Sequence, residues 1–201
     1  MGLFDWFRDW RLRRQCRHVG PGTRFLGGNT EISGNVELGA ECDIGGNVVL
    51  RTIGDGRISL ADGATVADYA HIEMQSRLEA GPGVYIGPFV VLRDTRPALA
   101  GTDVRWQDAP AESGPITLGP NVYVSASSTV LPGVHIGEGA VIAPGSMVCS
   151  DVGPFEIWAG APASRIALRG DSVSAGGPAR SQDMLSLFGL EAEPAAGEPP
   201  R

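Results

Sequence analysis

Large aliphatic side chains recur every six positions along the later part of the chain, at Leu118, Val124, Val130, Ile136, Ile142 and Val148. The fifth place of each unit holds a small or β-branched residue: Val122, Ser128, Val134, Ala140, Ser146 and Val152. A helix repeats its apolar face every 3.6 residues and a half-buried strand every two. A step of six, with Gly, Pro or Asn in most units, describes a chain that extends briefly, turns and repeats. That is the hexapeptide signature of a parallel β-helix.

The same step predicts where the coils begin and where they are interrupted. Leu26, Ile32, Leu38, Ile44 and Leu50 keep it, and Cys42 falls in the small inward slot, where packing is its expected role. Leu50 to Leu60 is ten positions, a four-residue insertion, after which Leu60, Val66, Ile72 and Leu78 resume. Leu78 to Ile86 is eight and Ile86 to Leu92 is six again. The aliphatics count seventeen units, close to six coils if three units make one triangular turn. Coils about 4.8 Å apart then predict a prism roughly 25–30 Å long.

Two stretches depart from the pattern. Residues 93–115 are too long and polar for a simple turn, and excursions of this size are usually functional. They should leave the prism at a corner and return, with Trp106 docking on a neighbouring coil, a second subunit or a ligand. Residues 3–14 put Leu3, Trp6, Phe7 and Trp10 at i, i+3, i+4 and i+7, one apolar stripe of a helix, with Asp5, Arg8, Asp9 and Leu12 mostly opposite. Two roles fit it. The favoured one is a cap whose Trp and Phe rings plug the open end of the coils. The other is a weak contact with an anionic membrane surface, because Arg8, Arg11, Arg13, Arg14 and Arg17 make this the one strongly basic segment. The chain therefore divides into an amphipathic helix (1–20), a β-helix (21–169) carrying the extended loop 93–115, and an acidic tail (170–201) expected to be disordered. Within that tail, residues 181–190 could form a two-turn amphipathic helix.

A net charge of −7 argues against nucleic acid as the main partner. Cys16, Cys42 and Cys149 form no CxxC pair, and no apolar signal or membrane-spanning run is evident, so a cytoplasmic setting is expected.

Residues 118–169 resemble the left-handed β-helix acyltransferases of the hexapeptide-repeat type, among them sugar O-acetyltransferases. The motifs that carry the likeness are NVYVSASSTVLPGVHIGEGAVIAPGSMV and, after it, WAGAPASRI. The repeat grammar extends it over 26–169. The left hand of the coil is implied by this resemblance alone, since long parallel crossovers are normally right-handed. The resemblance implies a homotrimer that binds acetyl-CoA in clefts between prisms, with the extended loop closing the site and no metal. Ser125, Ala126, Ala143 and Gly145 would let the pantetheine arm approach through small residues and backbone amides, near Gly160 and Ser164. Ser164 stands where the family usually has a basic residue near the CoA phosphates, with Arg165 and Arg169 as substitutes.

The implied reaction is acyl transfer to a hydroxyl or amine of a sugar or polysaccharide precursor. A hydroxyl needs a base to take its proton. The family usually supplies a loop histidine followed by proline, whereas here the loop reads Arg96-Pro97 and contains no histidine. The candidates left are His71, with Asp68 or Glu73 as orienting partner, and the loop residues Asp94 and Arg96. A zinc site would need three converging histidines, and only His71 and His135 lie on the repeats. The alternative to an enzyme is a non-catalytic trimeric β-helix serving as scaffold or binding protein.

Overall fold

The computed structural model describes residues 3–98, 105 and 107–170, together with the short pair 173–174 and 192–193. Trp106, most of the 170–201 tail and the 181–190 motif lie outside the described residues.

The described residues coil into a parallel β-solenoid of about seven turns with one short helix among them. Three sheets form the walls of the prism. Face A holds His18–Val19, Val36–Leu38, Arg57–Leu60, Arg77–Ala80, Ile116–Leu118 and His135–Ile136. Face B runs Arg24–Phe25, Asp43–Ile44, Thr65–Val66, Tyr85–Ile86, Tyr123–Val124, Val141–Ile142 and Glu156–Gly160, closed by the antiparallel strand Ala163–Leu168. Face C holds Glu31–Ser33, Val49–Thr52, His71–Met74, Val91–Arg93, Thr129–Val130 and Met147–Val148. Every repeat-to-repeat pairing within the three walls is parallel, and regular coils return after eighteen residues, as Val124 pairs with Ile142.

The six-residue step is the column spacing of the core. Leu118, Val124, Val130, Ile136, Ile142 and Val148 are all buried inside the prism. Turns between faces share one backbone solution, in which the third corner residue takes positive φ, as at Asn121 (54°) and Gly139 (63°). Non-glycine residues accept it too: Tyr69 and Phe89 sit there at 63° and 58°. The neighbouring coils over-determine these corners and so hold a sparsely populated conformation in place.

Three expectations are corrected. The repeat starts on Phe25, which is buried and pairs with Ile44, while Leu26 turns out to solvent. The eight-residue step after Leu78 is not irregular packing. Face A carries two inward residues per strand here, and Ala80, in register with Leu60 and Leu118, keeps the step of six to Ile86. The first wall already begins at His18, ahead of the boundary at residue 21.

A further correction concerns the helix Leu3–Gln15, which does close the open end, but not with its aromatic rings. Leu12 is fully buried in the core and Cys16 packs beside it. Arg13 adds a guanidinium over the Phe25 ring and donates to the Thr23 carbonyl. Trp6, Phe7 and Trp10 remain exposed. Leu12 projects roughly 160° from Trp10 around the helix, so docking one excludes burying the other.

Candidate active site

The corner between faces B and C gathers most of the residues singled out for the cofactor. Ser125 and Ala126 follow the face B strand of one coil, Ala143 stands level with Ser125 one coil on with Gly145 two residues further round the turn, and Gly160 lies level with Ala126 one coil later still. They form a single column because each coil repeats the turn.

Their backbone amides are less available than the sequence suggests. Ser125 N–H donates to the Ile142 carbonyl (3.0 Å), Ala143 N–H to Trp158 (2.8 Å) and Gly145 N–H to Ala126 (2.9 Å). These bonds hold the coils together. The Ala126 amide is different, because it donates to no described group. At the equivalent place three coils earlier, Gly46 N–H is taken by the Asp68 carboxylate at 2.7 Å. Above Ala126 that place belongs to Pro144, which has no acceptor side chain. Beside it, Ser125 Oγ is buried and finds no hydrogen-bond partner among the described residues. A donor without an acceptor next to a buried orphan hydroxyl fits an amide-bearing chain laid along this corner.

Gly160 opens the terminal hairpin, in which Glu156–Gly160 pairs antiparallel with Ala163–Leu168 across a cis Ala161–Pro162 bond. Glu156 organises it. Its carboxylate accepts from the Trp158 indole (2.8 Å) and from Gly153 N–H (2.8 Å), and Arg165 approaches at 3.4 Å. The Trp158 hydrogen bond is the main cause holding the Glu156 carboxyl below its ordinary value. Ser164 and Arg165 are exposed on the hairpin edge, where the Arg165 guanidinium reaches Glu156 at 3.4 Å and still faces solvent.

The catalytic candidates are not brought together. His71 lies half-buried at the start of its face C strand, paired with Val49 and Val91, and its ring makes no hydrogen bond among the described residues. Neither suggested orienting partner serves it. Asp68 caps Gly46, and Glu73 is held between Arg51 (3.4 Å) and Arg93 (2.9 Å) in a ladder that continues from Arg51 to Glu31 (3.0 Å). Asp94 sits at the opposite end of the face C strand, three residues beyond the level of His71, or about 10 Å.

Asp94 itself is fully buried, and Gln75 N–H (2.8 Å) and Ser76 N–H (2.6 Å) donate to its two oxygens. It staples the base of the extended loop to the previous coil, and that geometry suits anchoring better than proton transfer. The loop leaves at the corner between faces C and A, as expected. It starts as a two-stranded arm, Thr95–Pro97 against Ala111–Ser113, with Arg96 paired to Glu112 at 3.1 Å on its exposed surface.

One feature escaped the sequence. Tyr85 and Tyr123 stack on outer face B with centroids 4.6 Å apart, beside the stacked corner pair Tyr69 and Phe89 at 4.9 Å. Burial, then the neighbouring Tyr123 and Asp68, push the Tyr85 phenol up. Tyr123 also borders an open cleft of about 900 Å³ with Asn121, Val141, Phe155, Ile157 and Arg169. Arg169 is fixed there by donating to the Gly139 carbonyl at 2.8 Å. Tyr85 and Tyr123 both stand one place before an inward aliphatic, a cue hidden by the arm inserted between them. Among the described residues no three His, Cys, Asp or Glu side chains gather as a metal ion would require.

Residues 115–150 match the bacterial transferase hexapeptide family, described as six repeats. A chloramphenicol acetyltransferase from Morganella morganii is 39% identical over 62 residues, 31% of this chain and 30% of that protein. The chain thus spans about a third of the length of such curated relatives. Among solved structures, AntD, an N-acyltransferase from Bacillus cereus in complex with dTDP-4-amino-4,6-dideoxyglucose and coenzyme A, superposes with a TM-score of 0.69. It is 20% identical, over 81% of this chain and 89% of AntD. A hexapeptide-repeat acetyltransferase from Vibrio cholerae complexed with acetyl coenzyme A gives 0.59 at 22% identity, over 85% and 81% of the two chains. Residues 115–150 match the bacterial transferase hexapeptide repeats, and the described coils share the fold of these hexapeptide-repeat acyltransferases.

Proposed function

We propose that this protein transfers an acyl group, acetyl in the first instance, from coenzyme A to a sugar or polysaccharide precursor. The observation that carries the reading is the corner column of Ser125, Ala126, Ala143, Gly145 and Gly160, with its unspent amide and orphan hydroxyl. The coenzyme A found in structurally similar acyltransferases supports it. When bound, the cofactor supplies the activated acyl thioester. Ala126 N–H and Ser125 Oγ offer hydrogen bonds to an amide chain, Ala143 and Gly145 keep the wall low, and Arg165 and Arg169 offer charge to phosphates. A cleft completed by a neighbouring prism of a homotrimer would close over this corner.

The acceptor we favour is an amine on a sugar. A neutral amine is already nucleophilic, whereas a hydroxyl must lose its proton in the transition state. The arm supplies no histidine, Asp94 is committed to backbone amides and Arg96 to Glu112, which leaves His71 to receive a proton. The amino-sugar nucleotide bound by AntD is consistent with such an acceptor. The same missing histidine favours a second reading, a non-catalytic scaffold.

Release of free thiol from acetyl-CoA, followed across amino sugars, their nucleotides and matched hydroxyl compounds, separates the two. The transferase reading expects turnover with at least one amine, reduced about 100-fold in His71→Ala. Release no faster than the protein-free background with every acceptor would favour the scaffold.

A further inference from the structure

We infer that the N-terminal helix docks the protein on anionic lipid bilayers through its Trp6–Phe7–Trp10 face, a contact separate from the proposed transferase site. The helix uses Leu12, Arg13 and Cys16 to close the coil stack, so that face is spent. The opposite arc is not. Trp6, Phe7 and Trp10 are 56%, 58% and 42% exposed, and Phe7 and Trp10 stack on one another at 5.7 Å. At 100° per residue, Arg11 and Arg14 fall on this same outer arc, and the Arg14 guanidinium lies over the Trp10 ring at 4.8 Å. Three large rings in water are unfavourable for a surface that serves no contact.

Charge identifies the occupant. Residues 3–17 carry five arginines against two aspartates in a chain whose net charge is −7. A second copy seated on this face by two-fold symmetry would oppose Arg11 and Arg14 to their own equivalents. An anionic bilayer has the complementary arrangement: Trp and Phe rings settle at the headgroup level while arginines meet lipid phosphates. Each arginine near such a surface strengthens binding about fivefold. The helix has thirteen residues, about 20 Å, and no described helix is long and apolar enough to cross a membrane, so the mode is interfacial.

Co-sedimentation of the full chain with vesicles of phosphatidylcholine containing about 30% phosphatidylglycerol tests this directly. Binding should be at least about tenfold weaker with pure phosphatidylcholine vesicles or in high salt. The triple variant Trp6→Ser/Phe7→Ser/Trp10→Ser and the double variant Arg11→Glu/Arg14→Glu should each lose binding about tenfold or more, with Leu12 and the melting temperature untouched. The proposal is overturned by absence of binding to anionic vesicles, or by unchanged binding in both variants. A triple variant of altered solution mass, from a wild type that never sediments with lipid, would assign the face to a second copy and also overturn it.

Discussion

Asp94 illustrates how burial reassigns a residue that looks chemical on paper. Read along the chain, it is a carboxylate in a polar loop. In three dimensions it has no exposed surface, and both oxygens accept backbone amides of the preceding coil. Asp94→Asn should cost about 1–3 kcal/mol in thermal or denaturant unfolding, because one acceptor becomes an NH₂ group facing an N–H donor. Ser125 should behave in the opposite way. Its Oγ has no described partner, so Ser125→Ala should leave stability unchanged or raise it by up to about 1 kcal/mol, while weakening acyl-donor binding roughly three- to tenfold. The sequence could not distinguish the two, since the amides that hold Asp94 lie 18 and 19 residues away along the chain. Inward positions such as Cys42 and Val124 were legible because the repeat itself places them. The thiols follow suit. Burial pushes Cys16 up to about 11 and also raises Cys42, so a thiol reagent at neutral pH should label exposed Cys149 well before either.

The helix and the terminal hairpin show what an element's neighbours add to its sequence. The helix itself was plain from residues 3–14, but two apolar arcs competed for the core. Leu12, isolated among arginines, won because a single aliphatic fits the mouth of the prism beside Phe25 and Ile32. Leu12→Ala should therefore destabilise by about 2–4 kcal/mol, whereas Trp10→Ala should stay within about 0.5 kcal/mol, as equilibrium unfolding would show. The hairpin depends on Glu156, whose folded-state carboxyl is held below its ordinary value near 4.5 by the Trp158 indole. A depressed carboxyl stabilises fully above the unfolded value, and that contribution fades as pH falls through the lower folded one. Melting curves of wild type and Glu156→Gln should differ most near neutral pH and converge on acidification below 4.5.

At the scale of the whole molecule, the six-residue period pointed to a three-walled prism, parallel stacking and an arm that departs at a corner, because one periodicity sets all of them. It misplaced the coil start at Leu26 and followed Leu78 in place of Ala80. Large aliphatics can sit one place out of register, whereas inter-coil hydrogen bonds cannot. The corner column was legible as small residues, but not which amides were already spent, since each partner sits one coil away. Whether the column binds a donor is the central claim, and calorimetric titration of the full chain with acetyl-CoA and free CoA tests it most directly. Saturable binding at one site per protomer, weakened in Arg165→Ala, is the predicted result. No heat of binding up to about 1 mM ligand would contradict the account.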